Sequence, residues 1–63
     1  MSRLVLTRSA GGEVVIHENG EVKCRIFITR VERGSVRLSF EASDNVRIDR
    51  KEIYESKLER GEI

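Results

Sequence analysis

Apolar and polar residues alternate with a period of two along most of the chain, and residues that turn a backbone separate the runs. Successive side chains of a β-strand point to opposite faces, so this alternation specifies a sheet with one apolar and one wetted face. Asn19-Gly20, between Ile16 and Val22, is the sharpest local signal. Both positions tolerate the left-handed backbone that a two-residue type I′ hairpin requires.

The runs predict five short antiparallel strands, at residues 3–8, 13–18, 21–31, 35–41 and 46–49. Ser9-Ala10-Gly11-Gly12 turns the chain after the first, Arg33-Gly34 after the third, and Ala42-Ser43-Asp44-Asn45 forms a loop before the fifth. On the third strand Val22, Cys24, Ile26 and Ile28 share a face, and on the fourth Val36, Leu38 and Phe40 point inward. Phe27 stands on the polar face with no second aromatic beside it, which favours packing under a helix or against a partner chain over base stacking. A helix is expected over residues 50–60, with Asp49 as its cap and Glu52 bonding back in capping-box style. Tyr54 and Leu58 share one helix face, Lys51 and Glu55 are spaced to pair, and Gly61 suits the stop.

This all-β domain with a short C-terminal helix has 63 residues, a size at which folding buries only about 60 % of the unfolded chain's surface. Small scaffolds compensate with disulfides, metals or association. The lone Cys24 closes no intrachain bridge, and His17 is the only histidine, so association between chains is the remaining route. A cysteine on the apolar face of a strand reads as core, and His17 with Cys24 falls short of a metal-ligand set. No nucleophile with a base, phosphate loop or carboxylate pair is present, so neither catalysis nor a cofactor is expected. No apolar run approaches the roughly 20 residues that span a bilayer, and Arg3 is not followed by a signal-like core. A cytoplasmic setting with no membrane partner is the expectation.

A net charge of +1 is too small to draw in a polyanion through the overall field. Any nucleic-acid binding must come from local clustering. Arg3 and Arg8 bracket the first strand, and Arg47, Arg50 and Lys51 lie in or just after the fifth. Arginine's planar fork reads phosphate and guanine edges and its face stacks on an unpaired base, so a basic edge of this kind suits single-stranded RNA. The competing reading is an ordinary solvated face.

Two pentapeptides sharpen the choice. Leu4-Val5-Leu6-Thr7-Arg8 resembles the L-I-L-T-R opening of the carbon storage regulator family, also called CsrA or RsmA, and Arg50-Lys51-Glu52-Ile53-Tyr54 resembles its R-E-E-I-Y. Between them Gly12-Glu13, Val36-Arg37-Leu38, Ala42 and Val46-Arg47-Ile48 fall in the family's order. The resemblance implies an intertwined homodimer in which strand one lies beside strand five of the partner chain, so that Arg8 of one subunit nears Arg50 of the other. It implies two composite sites, each gripping a GGA element in a single-stranded or hairpin-loop mRNA near the ribosome-binding site, to control translation and stability. Leu6, Thr7 and Arg8, Ala42 and Ser43, and Ile48, Asp49 and Arg50 are the site residues carried over. Small regulatory RNA and a protein antagonist are further partners the family suggests.

Ser9 stands where the family repeats arginine, and Ser39, Glu41 and Ser43 replace its glycine, asparagine and proline. One extra residue, Gly11 or Gly12, lies in the first turn. These departures lower the positive charge of the site and the rigidity of its loop. They motivate an alternative: a divergent paralogue acting through protein contacts or heterodimerisation with little RNA binding.

Overall fold

The computed structural model describes residues 1–63. Its sheet has three antiparallel strands, β1 (Glu13–Glu18), β2 (Glu21–Glu32) and β3 (Ser35–Ala42), in the order β1-β2-β3, followed by one helix, α1 (Lys51–Glu59). No helix is long and apolar enough to cross a membrane.

Turn chemistry places the strands as the alternation predicts. Asn19 and Gly20 take φ of 51° and 86° between β1 and β2, and Gly34 takes 79° between β2 and β3. In the first turn only Gly11 is left-handed, at 87°. Gly12 serves closeness instead: a Cβ there would stand 2.8 Å from Arg8 Nε and 2.9 Å from the Ser9 carbonyl. Gly11 N–H donates to the Ile28 carbonyl and Ile28 N–H to the Gly12 carbonyl, tying this turn to β2.

The long central strand carries two extra residues that the alternation does not reveal. Ile16 lies opposite Cys24 but His17 opposite Val22, so Lys23 is a bulge against β1. Ile28 lies opposite Leu38 but Arg30 opposite Arg37, so Thr29 is a bulge against β3. A bulge leaves one residue unpaired and bends the strand. Thr29 answers the loss with its hydroxyl, which donates to the Arg37 carbonyl at 3.1 Å.

One sheet face collects Val14, Ile16, Cys24, Ile26, Ile28, Leu38 and Phe40. Very little covers it. Cys24 and Ile28 are the only buried apolar side chains, while Leu38 and Phe40 remain 46 % and 41 % exposed. Residues 3–8 and 46–49, expected as the first and fifth strands, have no ladder partner within the chain and form no strand. A strand is a paired object, so an extended segment without a neighbour satisfies the pattern but not the hydrogen bonds. A compact chain of this mass would expose about 4,100 Å², against the 5897 Å² found. The Cα radius of gyration is 13.8 Å, where a compact domain of this length has about 10.6 Å.

The helix begins one residue later than expected and is capped differently. Arg50, not Asp49, is the N-cap residue, with extended backbone and no side-chain bond to the first turn. Glu52 does not bond back as in a capping box; it pairs with Arg50, 3.3 Å away, and Lys51 and Glu55 form no ion pair. Asp49 instead accepts Lys57 Nζ at both carboxylate oxygens, at 3.1 and 3.0 Å. That pair clamps the helix to the residues leading into it, because α1 stands off the strands without packing on them. Phe27 therefore does not lie under the helix; Glu13 and Ser39 are its cross-strand neighbours. At the far end Gly61, at φ 72°, lets Glu62 N–H reach the Lys57 carbonyl and Gly61 N–H the Leu58 carbonyl, a Schellman stop.

Two experiments test these contacts. Gly20→Ala forces an L-residue into left-handed backbone and is expected to cost about 1–2 kcal/mol, lowering the melting midpoint by roughly 4–8 °C per kcal/mol. A double-mutant cycle of Asp49→Ala and Lys57→Ala in urea is expected to return a coupling of about 0.5–1 kcal/mol; additive losses would show that the clamp contributes nothing.

Candidate nucleic-acid interface

Of the residues marked by sequence, three are brought together by the fold. Ile48, Asp49 and Arg50 lie over the apolar face of β3 and line, with Val36, Leu38 and Phe40, a groove of about 540 Å³. Ile48 is 42 % exposed in it, an unusual state for an apolar side chain facing other apolar side chains across open space. Arg50 holds its guanidinium at the rim, paired with Glu52 while both side chains remain well exposed. A surface pair of this kind is worth little and yields readily to a phosphate or a base edge.

Asp49 would be an awkward neighbour for a polyanion if its charge were open. Lys57, which sequence inspection did not single out, sits on it, and the two side chains are among the least exposed charged groups of the chain. The pair leaves the local balance to Arg50. No spacing rule announces an Asp and a Lys eight residues apart across a helix start, so no signal was present to find it.

Ala42 and Ser43 mark the end of β3 and the start of the loop. Ala42 lies opposite Cys24, and Ser43 N–H continues the ladder one step to the Lys23 carbonyl at 3.3 Å. The Ser43 carbonyl then accepts Val46 N–H at 2.9 Å, closing a tight turn where the family pattern has proline. Ala42 and Ser43 line a second, shallow depression with Val22, Lys23, Arg25 and Glu41. Its cations are already engaged, Lys23 by Glu21 and Arg25 by Glu13.

Leu6, Thr7 and Arg8 stand apart from the groove in the single chain. Leu6 is 51 % exposed on the unpaired N-terminal segment. Arg8 rests its guanidinium against Gly12, at the β1–β2 side of the sheet, whereas Arg50 borders β3. Among the basic side chains, Arg3, Arg8, Arg33, Arg37, Arg47 and Lys51 have no carboxylate within ion-pair distance. Arg47 donates to the Asp44 carbonyl at 3.0 Å and so stiffens the loop before the groove.

His17 Nδ1 accepts Gly20 N–H at 3.0 Å and is spent on its turn, while Cys24 is buried beneath the sheet face. No group of three or more potential metal ligands exists.

Comparison with known proteins agrees with the two pentapeptides. The profile of the CsrA global regulator protein family matches residues 3–59. The Translational regulator CsrA of Thermosipho africanus (strain TCF52B) is 34 % identical over 55 residues, which cover 87 % of this chain and 70 % of that protein. No solved structure matches. The match runs from the unpaired N-terminal segment through the groove to the last turn of α1, and the chain belongs to the CsrA global regulator protein family.

Proposed function

We infer that this protein is a post-transcriptional regulator that acts as a homodimer and binds GGA-bearing single-stranded or hairpin-loop mRNA near ribosome-binding sites, with Arg50 as the main contact. The observation that carries the reading is the open apolar groove flanked by an accessible arginine, in a family whose relative is named a translational regulator.

The surface account supports the dimer. The chain exposes about 1,800 Å² more than a compact monomer of its mass, and obligate homodimers bury roughly 1,000–2,500 Å² on each partner. Leu4 and Leu6, 82 % and 51 % exposed, supply apolar side chains at the spacing of one strand face. The free edge of β3 and the groove above it offer what that strand lacks: backbone groups to pair with and Val36, Leu38 and Phe40 to cover. Residues 3–8 of a second copy, laid beside residues 46–49, complete both. Arg8 then leaves the β1–β2 side of its own chain and joins the partner's Arg50, so each site is composite. Leu6 and Ile48 hold the arginines from the core side, and backbone groups from Ala42 to Ile48 read guanine edges.

The chemistry asks for nothing else. Occupancy of an unpaired loop beside a ribosome-binding site blocks initiation sterically, so binding alone regulates. Ser9 reduces the charge available, which sets a ceiling on affinity. The second reading, a paralogue acting through protein contacts, draws on the number of cations already held by carboxylates; a gel-shift series over GGA hairpins with no saturable binding would favour it.

Arg50→Ala is expected to weaken binding to a GGA hairpin by about 1–3 kcal/mol, roughly five- to 150-fold, with the dimer intact by sedimentation. Unchanged affinity would remove Arg50 from the site. The melting midpoint is expected to rise with protein concentration, as for any protein whose folded state is an oligomer; a midpoint independent of concentration would rule the obligate dimer out.

A further inference from the structure

We propose that Arg30, Arg33 and Arg37, at the far end of the β2–β3 hairpin, form a second phosphate-binding surface that takes the sugar-phosphate backbone of single-stranded RNA flanking the element held at Arg50. The proposal rests on the RNA-binding reading above and extends it to residues outside that site.

Register is the first support. Without the bulge at Thr29, the ladder would set Thr29 opposite Arg37 and send Arg30 to the apolar face with Val36 and Leu38. The bulge turns Arg30 to the polar face, directly opposite Arg37, and the Thr29 hydroxyl holds the Arg37 backbone in place. Like charges directly opposite on a sheet are destabilising. The hairpin end therefore carries a repulsion that an anion would relieve.

Charge and shape point the same way. Three guanidiniums share this end with one carboxylate, Glu32, which reaches Arg30 Nε at 2.7 Å. Both members of that pair are more than half exposed, so it is a weak tie that opens easily. Arg33 and Arg37 have no carboxylate partner. Arg30, Glu32, Ser35, Val36 and Arg37 line an open hollow of about 320 Å³, where guanidinium forks and the Ser35 hydroxyl are the donors a phosphate accepts. Val36 is its only apolar residue, too little for the buried anchor that a protein partner would need.

Continuity decides what the phosphate belongs to. Val36 borders both this hollow and the groove that holds Arg50. The two lie on opposite faces of β3, so a strand of RNA leaving Arg50 reaches the arginines past the hairpin end at Arg33-Gly34, clear of the edge that the partner's strand pairs.

The test uses two RNAs, a bare GGA hairpin and the same hairpin with single-stranded uridine tails on both sides, against wild type and an Arg30→Gln/Arg33→Gln/Arg37→Gln variant checked for fold and dimer. The tailed RNA is expected to bind the variant about tenfold more weakly, with wild-type affinity kept for the bare hairpin. The slope of log affinity against log salt is expected to fall by about 2, from three contacts at about 0.7 each. Equal affinity of both proteins for the tailed RNA overturns the surface and leaves the primary site standing; so does an equal loss on both RNAs. Wild type binding neither RNA overturns the RNA reading and this surface together. Should the triple variant not fold, Arg33→Gln at the exposed turn carries the same comparison, with a slope change of about 0.7 expected and no change overturning the surface.

Discussion

The apolar face of the sheet has no second layer from its own chain, and almost everything else about this protein follows from that vacancy. Stable domains pack at least two layers around a core, yet here Cys24 and Ile28 are the only buried apolar side chains and α1 stands clear of the strands. Local interactions set the hairpins and the helix ends, but none of them removes Leu38, Phe40 or Ile48 from water. Burial at about 25 cal/mol per Å² is the dominant favourable term in folding, so a chain that leaves this much apolar area open forgoes much of that stabilisation on its own. Under the proposed dimer, folding and site assembly become one event, because the strand that closes the core also brings an arginine to the groove.

Charge is distributed to leave particular cations available rather than to build a strong field. Six ion pairs engage half of the basic residues, several on the sheet and around the helix. Those without a carboxylate lie in the N-terminal segment, at Arg3 and Arg8, at the β2–β3 hairpin end, at Arg33 and Arg37, and on either side of Ile48 to Arg50, at Arg47 and Lys51. The Asp49–Lys57 pair matters most among those made, since it removes a negative charge from beside Arg50 and fastens the helix in the same contact. A near-neutral protein can in this way present a basic path without attracting every polyanion in its surroundings.

Departures from the family pattern take a physical form in the fold. Ser43 keeps the loop tight through two backbone bonds, to the Lys23 and Val46 ends, where the family uses the fixed φ of proline. The extra glycine in the first turn lets one residue, Gly11, take the left-handed backbone while Gly12 admits the Arg8 side chain.

Much of this was legible in the chain itself. The three strands, the Asn19-Gly20 hairpin, the helix and its Gly61 stop come from period, propensity and positive-φ residues, all properties of near neighbours. The family was legible in two short motifs. Tertiary structure alone decided the bulges at Lys23 and Thr29, because a bulge exists only between paired strands and leaves no mark on either. It also decided that Asp49 clamps Lys57 instead of capping the helix, and that Arg30 faces Arg37. Backbone conformation is governed by residues a few positions away, whereas register and charge pairing depend on partners whose distance along the chain no local pattern encodes.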